Sequence, residues 1–323
     1  MEIFNLTLSQ MLMMFTLILV GLVLRRKTNI SENAGTVMAK LETFVFVPAL
    51  SLFTQMTKCT VENFKQNASL MLYGFAIVLF AILISYPLSK LFVKKQKEES
   101  MEISYQRNIY KYALTFGNYG FMGNFIALGV WGNDFFYKYS LFTFLIGIVC
   151  YSWGLYILIP KEHNVGIINN LKKGLINPPV IGLVIGMFIG LCGLTKFVPQ
   201  FMITALDNAG KCQGPVAMVL AGFVIGGYNL KELLKNKKVY LVTFFRLIII
   251  PALIMLVLKL IGANDEIMTF ALIAFATPLG LNTIVYPAAY GGDTKTGASM
   301  TTISHTLSVV TIPLMYLIFI VLL

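Results

Sequence analysis

Almost the whole chain consists of apolar stretches long enough to cross a bilayer, which leaves it few folds to choose from. Spans are expected near 8–24, 36–57, 69–93, 110–131, 136–158, 177–195, 202–228, 239–262, 267–290 and 298–323 of the 323 residues, each long and apolar enough to be a transmembrane helix. An unpaired backbone group inside lipid costs several kcal/mol, so such segments must satisfy their own hydrogen bonds. Hydrophobic residues make up 57% of the chain and charged residues 12%, about half the charge of an average soluble protein. There is no extended polar domain. The expected fold is therefore all-α and integral to the membrane, with ten transmembrane helices. The first span lacks a basic start and a small-residue cleavage site before Arg25, Arg26 and Lys27, so it reads as a retained helix and not a signal peptide.

The formal net charge of +11 would suit a nucleic-acid binder, but the placement of the charge argues otherwise. Basic residues gather in alternate loops: Arg25, Arg26 and Lys27; Lys94, Lys95, Lys97 and Arg107; Lys161, Lys172 and Lys173; Lys231, Lys235, Lys237 and Lys238. Under the positive-inside rule these loops face the cytoplasm and both termini lie outside. The expected location is the cell membrane, with anionic lipid contact a by-product of topology. Cys59, Cys150, Cys192 and Cys212 are scattered without a CxxC or Cys/His cluster, so no zinc site or disulfide framework is implied. Cys59 falls in a loop expected to be external, open to a membrane-impermeant thiol reagent.

Two twenty-residue stretches look like copies of each other: Thr115 to Asp134, TFGNYGFMGNFIALGVWGND, and Ala274 to Asp293, AFATPLGLNTIVYPAAYGGD. Each begins apolar, meets a Gly/Asn or Pro-centred interruption, runs apolar again and exits at Gly-X-Asp. Hydrophobic segments broken at matching places in two halves of a chain point to the substrate site of a secondary transporter. The second and seventh spans match as well, at Phe46-Val47-Pro48-Ala49-Leu50 and Gln213-Gly214-Pro215-Val216-Ala217. Pro48 and Pro215 are 167 positions apart, Asp134 and Asp293 159. Similar offsets imply five spans repeated as five, and an odd number inverts the second copy. The halves are expected at 1–160 and 177–323, joined by a cytoplasmic linker at 161–176 whose NVGIINNLKKGL reads as a short interfacial amphipathic helix.

Taken in order, these pieces resemble the auxin efflux carrier family of permeases, which includes plant PIN-type auxin exporters and bacterial organic-acid carriers. The resemblance rests on Pro48-Ala-Leu, Phe116-Gly-Asn-Tyr-Gly-Phe-Met-Gly, Asn177-Pro178, Gly214-Pro215, Thr277-Pro278-Leu-Gly280 with Tyr290-Gly-Gly-Asp293, and Ser304 through Pro313. It covers essentially the full chain, closest to the bacterial organic-acid branch. It implies an inverted five-plus-five repeat with crossing broken helices four and nine, and scaffold and transport domains each drawn from both repeats. The fold is similar to sodium–proton antiporters and bile acid–sodium symporters. Two departures bear on pocket shape: Gly117-Asn118 stands where the family usually has Pro-Asn, and Asn124-Phe125 where a Gly-X-Pro often follows.

An anion between two broken helices meets half-helix N-termini with unpaired amides. Asn118, Asn282 and Thr283 are the candidate ligands, with Gly117, Gly120, Thr277, Pro278 and Gly280 shaping or joining the site. Gly123, Pro48 and Pro215 are read as shapers of their helices. Tyr119, Phe121 and Tyr286 are candidates to pack on the body of a substrate. A dianion would also want a cation: Lys40, Lys211 or Arg246. Ionisable residues within spans default to functional roles, so Asp207 with Lys211 four residues on, Glu42 and His305 are candidates for ion or proton coupling. Asp207 is the first choice, and Glu42 and Lys40 could instead be interfacial; no sodium requirement is expected.

The expected function is secondary active transport of a small organic anion, auxin-like or another mono- or dicarboxylate, by alternating access. A membrane enzyme is disfavoured by the absence of HExxH and GxSxG and by only two histidines. The alternative is a non-transporting membrane ligand sensor of the same fold. Expected partners are the anion, the bilayer and a second copy of the chain in a homodimer, with no cofactor, metal or nucleic acid.

Overall fold

The computed structural model describes residues 2–93, 101–160, 163, 166–290 and 292–322. Lys94, Lys95, Lys97 and Lys161 of the basic loops, and Gly291 of the second exit, lie outside the described residues. The chain is helical throughout: α1 (Glu2–Lys27), α2 (Asn33–Lys58), α3 (Val61–Phe92), α4 (Met101–Thr115), α5 (Asn124–Val149), α6 (Ile167–Leu175), α7 (Pro178–Leu191), α8 (Gln200–Gly226), α9 (Lys237–Leu260), α10 (Asp265–Ala276), α11 (Asn282–Ala289) and α12 (Lys295–Leu322). Among the described residues seven stretches are long and apolar enough to cross a membrane, and α7, at 14 residues, is a shorter apolar helix. The chain is thus a multi-pass membrane protein. The expected fourth and fifth spans are separated at Gly132, where the backbone leaves helical geometry (φ 79°, ψ −169°) in a conformation that glycine adopts without a Cβ penalty. The expected ninth span is split into α10 and α11.

Prolines explain where several helices widen. A proline cannot donate to the carbonyl four residues back, and its ring pushes that carbonyl aside. In α2 a π-turn at Glu42–Phe46 precedes Pro48, and in α9 a π-turn at Phe245–Ile249 precedes Pro251. The helix absorbs the misfit as an extra residue in one turn. Each π-turn carries a charged residue, Glu42 and Arg246, and among the described residues these are the charged side chains that are buried.

The helices pack in two groups. In the first, α1 lies on α8, and α2 on α7 and α8. Gly182, Gly186 and Gly190 follow one another at four-residue spacing on α7 and sit against the backbone at Pro48, Leu52 and Gln55 of α2 and at Cys59 just past its end, the small-residue seam by which membrane helices approach closely. In the second group α3 packs on α4 and α5, α9 on α10, and α12 on α9 and α10. Cys59, expected in an open external loop, is instead buried against Tyr137 and Leu141. Turn residues at a helix end are covered when a neighbouring helix overhangs them, which hydropathy does not show.

Candidate functional site

Both sequence interruptions are real breaks in helices. The first is Phe116–Asn118, between α4 and a π-turn at Tyr119–Gly123 that leads into α5. The second is Thr277–Leu281, between α10 and α11. They meet in space: the Asn118 amide donates to the Pro278 carbonyl at 2.7 Å. The Leu279 amide, freed by the second break, donates to the Ser304 hydroxyl of α12 at 3.0 Å. Carbonyls loosened around the first break are held from outside, Tyr119 by the Tyr139 hydroxyl at 3.0 Å and Phe121 by the Gln213 amide at 3.3 Å. Buried backbone polar groups need such partners. The breaks are built in and supported by neighbouring helices.

A cavity of about 100 Å³ lies against the crossing, between the two helix groups. Thr43, Val47 and Ser51 of α2 and Val180 and Leu183 of α7 form one side. The other side is the crossing itself with Ser140, Thr143, Phe144 and Gly147 of α5 and Tyr151. It extends toward Asn177 at the linker-side end of α7. Asn177 is committed to capping: its Oδ1 accepts from the Val180 amide at 3.0 Å and its Nδ2 donates to the Gly174 carbonyl at 2.6 Å. Among the described residues no Asp, Glu, Lys or Arg lines this cavity.

Of the residues singled out in the sequence, Gly117, Asn118, Gly120, Gly280 and Asn282 line the cavity, as do Tyr119 and Phe121. The Asn118 side chain makes no hydrogen bond to the described residues, although it is nearly buried. Asn282 is half committed, its Nδ2 donating to the Tyr112 hydroxyl at 2.8 Å. Thr277, Pro278 and Thr283 stand behind the lining: Thr277 and Thr283 are fully buried, and Pro278 supplies the carbonyl that ties the breaks together. Tyr286 is also outside it. Asn124 lines the cavity with a side chain that makes no hydrogen bond among the described residues. Sequence reasoning took it only as a departure from a family motif. Its position one turn after Gly120, on the same helix face, was the available signal.

The coupling candidates do not converge on this cavity. Asp207 and Lys211 pair with each other at 2.5 Å on a partly exposed face of α8. His305 is buried in α12, with Nδ1 on the Thr301 carbonyl at 2.8 Å and Nε2 without a hydrogen-bond partner among the described residues. Glu42, one residue before the cavity-lining Thr43, is 0% exposed, and both carboxyl oxygens lack hydrogen bonds among the described residues. Glu42 is thus covered by neighbouring helices and not open to solvent. Lys40 is exposed and Arg246 is buried behind Gly117.

Comparison with known sequences agrees with this architecture. The sequence pattern of a family described as membrane transport protein matches residues 6–316. The chain belongs to this family, the auxin efflux carrier family that its motifs resemble. It is 22% identical over 318 residues to the uncharacterized transporter YfdV of Escherichia coli, covering 95% of each chain. It is also 22% identical over 310 residues to the uncharacterized transporter MJ1031 of Methanocaldococcus jannaschii, covering 94% of this chain and 96% of that one. The family and its relatives mark a transport protein and not an enzyme.

Proposed function

We propose that the chain is a secondary active transporter of a small organic monoanion, bound at the crossing of the two broken helices. One observation carries this reading: the half-helices that start at Tyr119 and Asn282 begin at the cavity, which is also lined by Asn118 and Asn124, whose side-chain carboxamides make no hydrogen bond among the described residues. Dehydrating a carboxylate costs several kcal/mol. Each half-helix N-terminus returns up to about 2 kcal/mol when partly buried, and each charge-assisted hydrogen bond about 1.5–3 kcal/mol. These suffice for one negative charge. A second carboxylate would need a cation, and none lines the cavity. Phe121, Phe136, Phe144, Tyr119 and Tyr151 suit an apolar substrate body.

Transport by alternating access follows from the cavity lying between the helix groups. We read α1, α2, α7 and α8 as a scaffold and the remaining spanning helices as the moving body, in an inverted repeat of five spans plus five. The positive-inside pattern then makes the linker side cytoplasmic and the cavity inward-directed, with both termini outside. Among the coupling candidates Glu42 suits proton carriage best, because it is a fully buried carboxyl without a hydrogen-bond partner among the described residues, one residue from the cavity-lining Thr43. Counterflow in proteoliposomes with labelled mono- and dicarboxylates tests the substrate reading. Saturable monocarboxylate exchange, lost in Asn118→Ala, is expected; counterflow of dicarboxylates alone would overturn it.

A further inference from the structure

The side of the crossing away from the cavity holds a buried cation. Arg246, 2% exposed, reaches from the π-turn of α9 to the C-terminal end of α4, where its Nη1 donates to the carbonyls of Thr115 at 3.2 Å and Leu114 at 3.5 Å. A methyl group placed on Gly117 would run into Arg246 Nη2 and into the hydroxyl and carbonyl oxygens of Thr277. The guanidinium therefore sits where the first break leaves α4 and beside the residue at which the second break leaves α10. Both are C-terminal helix ends, each with about half a negative charge and freed carbonyls. Together they match one positive charge. No acidic side chain pairs with Arg246, and its Nε and Nη2 have no hydrogen-bond partner among the described residues.

In transporters with broken helices, unwound carbonyls and half-helix C-termini of this kind are where a coupling cation is coordinated. We propose that Arg246 is a built-in cation, filling with a covalently attached guanidinium the position that a mobile monovalent cation would otherwise occupy. The proposal rests on reading the crossing as the transport site. It makes Arg246 a positioning residue: it neutralises the negative helix ends so that the positive ends remain free for the anion. It also explains Gly117 where the family usually has proline, since any side chain there meets the guanidinium. The rigid fork of arginine, more weakly hydrated than an ammonium, fits such a dry, carbonyl-lined position.

Thermal stability of the purified full chain tests this without any substrate, so its outcome is separable from failure of the organic-anion reading. Wild type should melt at the same temperature in sodium, lithium, potassium, choline or millimolar guanidinium chloride at matched ionic strength. Arg246→Ala should melt lower and recover by several degrees, saturably, with guanidinium or a small alkali cation but not with choline. Arg246→Met fills the space without charge; it should melt lower and show no rescue. If Arg246→Ala does not fold, Arg246→Lys against Arg246→Gln decides: lysine should keep cation-independent stability and glutamine should lose it. Equal behaviour of Lys and Gln, Arg246→Met as stable as wild type, or a folded Arg246→Ala indifferent to every cation would overturn the proposal.

Discussion

Replacing Asn118 by alanine separates binding from folding in a way few positions in this chain allow. The side chain makes no hydrogen bond to the described residues, so its removal breaks no internal hydrogen bond among them. The structural link at this residue, from its backbone amide to the Pro278 carbonyl at 2.7 Å, is kept by alanine. A loss of stability beyond about 0.5 kcal/mol is not expected for a change that touches none of the usual destabilising mechanisms. Binding should behave differently. One charge-assisted hydrogen bond contributes about 1.5–3 kcal/mol, and every 1.4 kcal/mol is about tenfold in affinity. Asn118→Ala should therefore weaken monocarboxylate binding by roughly 10- to 150-fold at an unchanged melting temperature. Asn118→Asp should do more, because a carboxylate at the same atoms takes the helix ends for itself and repels the substrate. Asn282→Ala is the contrast: it breaks the bond to the Tyr112 hydroxyl and should cost about 0.5–1.5 kcal/mol of stability as well. Calorimetric titration beside a thermal melt reads both quantities. Unchanged affinity in a folded Asn118→Ala protein would refute the assignment of this amide to the substrate.

The other expectations follow from the same geometry. Replacing Thr277-Pro278 by Ala-Ala should let α10 run on as a continuous helix and take the Pro278 carbonyl from the Asn118 amide, abolishing transport while the protein still inserts; retained counterflow would argue against a required break. Cys192, exposed at the end of α7, replaces the buried Cys59 as a topology probe, and in a variant lacking the other three cysteines an impermeant maleimide should label it in intact cells. Labelling only after permeabilisation would invert the proposed orientation. Glu42→Gln should remove the response of transport to an imposed pH gradient, whereas Asp207→Asn should leave it unaltered, because Asp207 is partly exposed and already paired with Lys211. The opposite pattern in the two variants would return the coupling role to Asp207, and a dependence on sodium at fixed pH and potential would reject proton coupling altogether.

What the sequence shows plainly is backbone chemistry. Gly117-Asn118 and Thr277-Pro278-Leu-Gly280 announce breaks because glycine and proline act on the chain itself, whatever packs around them. The breaks fall at Phe116–Asn118 and Thr277–Leu281, and the amphipathic pattern in the linker becomes α6 at Ile167–Leu175. Orientation of side chains is harder to see. In a soluble helix an apolar stripe marks the packed face, but in lipid both the packed and the lipid-facing sides are apolar. Asp207 with Lys211 and Asn118 with Asn124 are each a polar pair within an apolar span, yet one faces outward and the other lines the cavity. Only the neighbouring helices distinguish them.

Glu42 and Arg246 show what could still have been extracted. Each lies five or six residues before a proline, Pro48 and Pro251, and each falls on the π-turn that the proline induces. A π-turn carries one residue more than the α-helical period, so a side chain there is swung off the face that simple 3.6-residue counting assigns it. Helix-period counting does not show that either side chain is covered; the widened turns leave both buried among helices. The same turns recur at functional sites because they re-aim a side chain without ending the helix. In this chain Glu42 and Arg246 are buried on proline-associated π-turns, whereas Lys211, four residues before Pro215 in a helix of regular period, is exposed. On that physics Glu42, the one carboxylate so placed, is a stronger candidate for carrying a proton than any acid whose helix keeps its regular period.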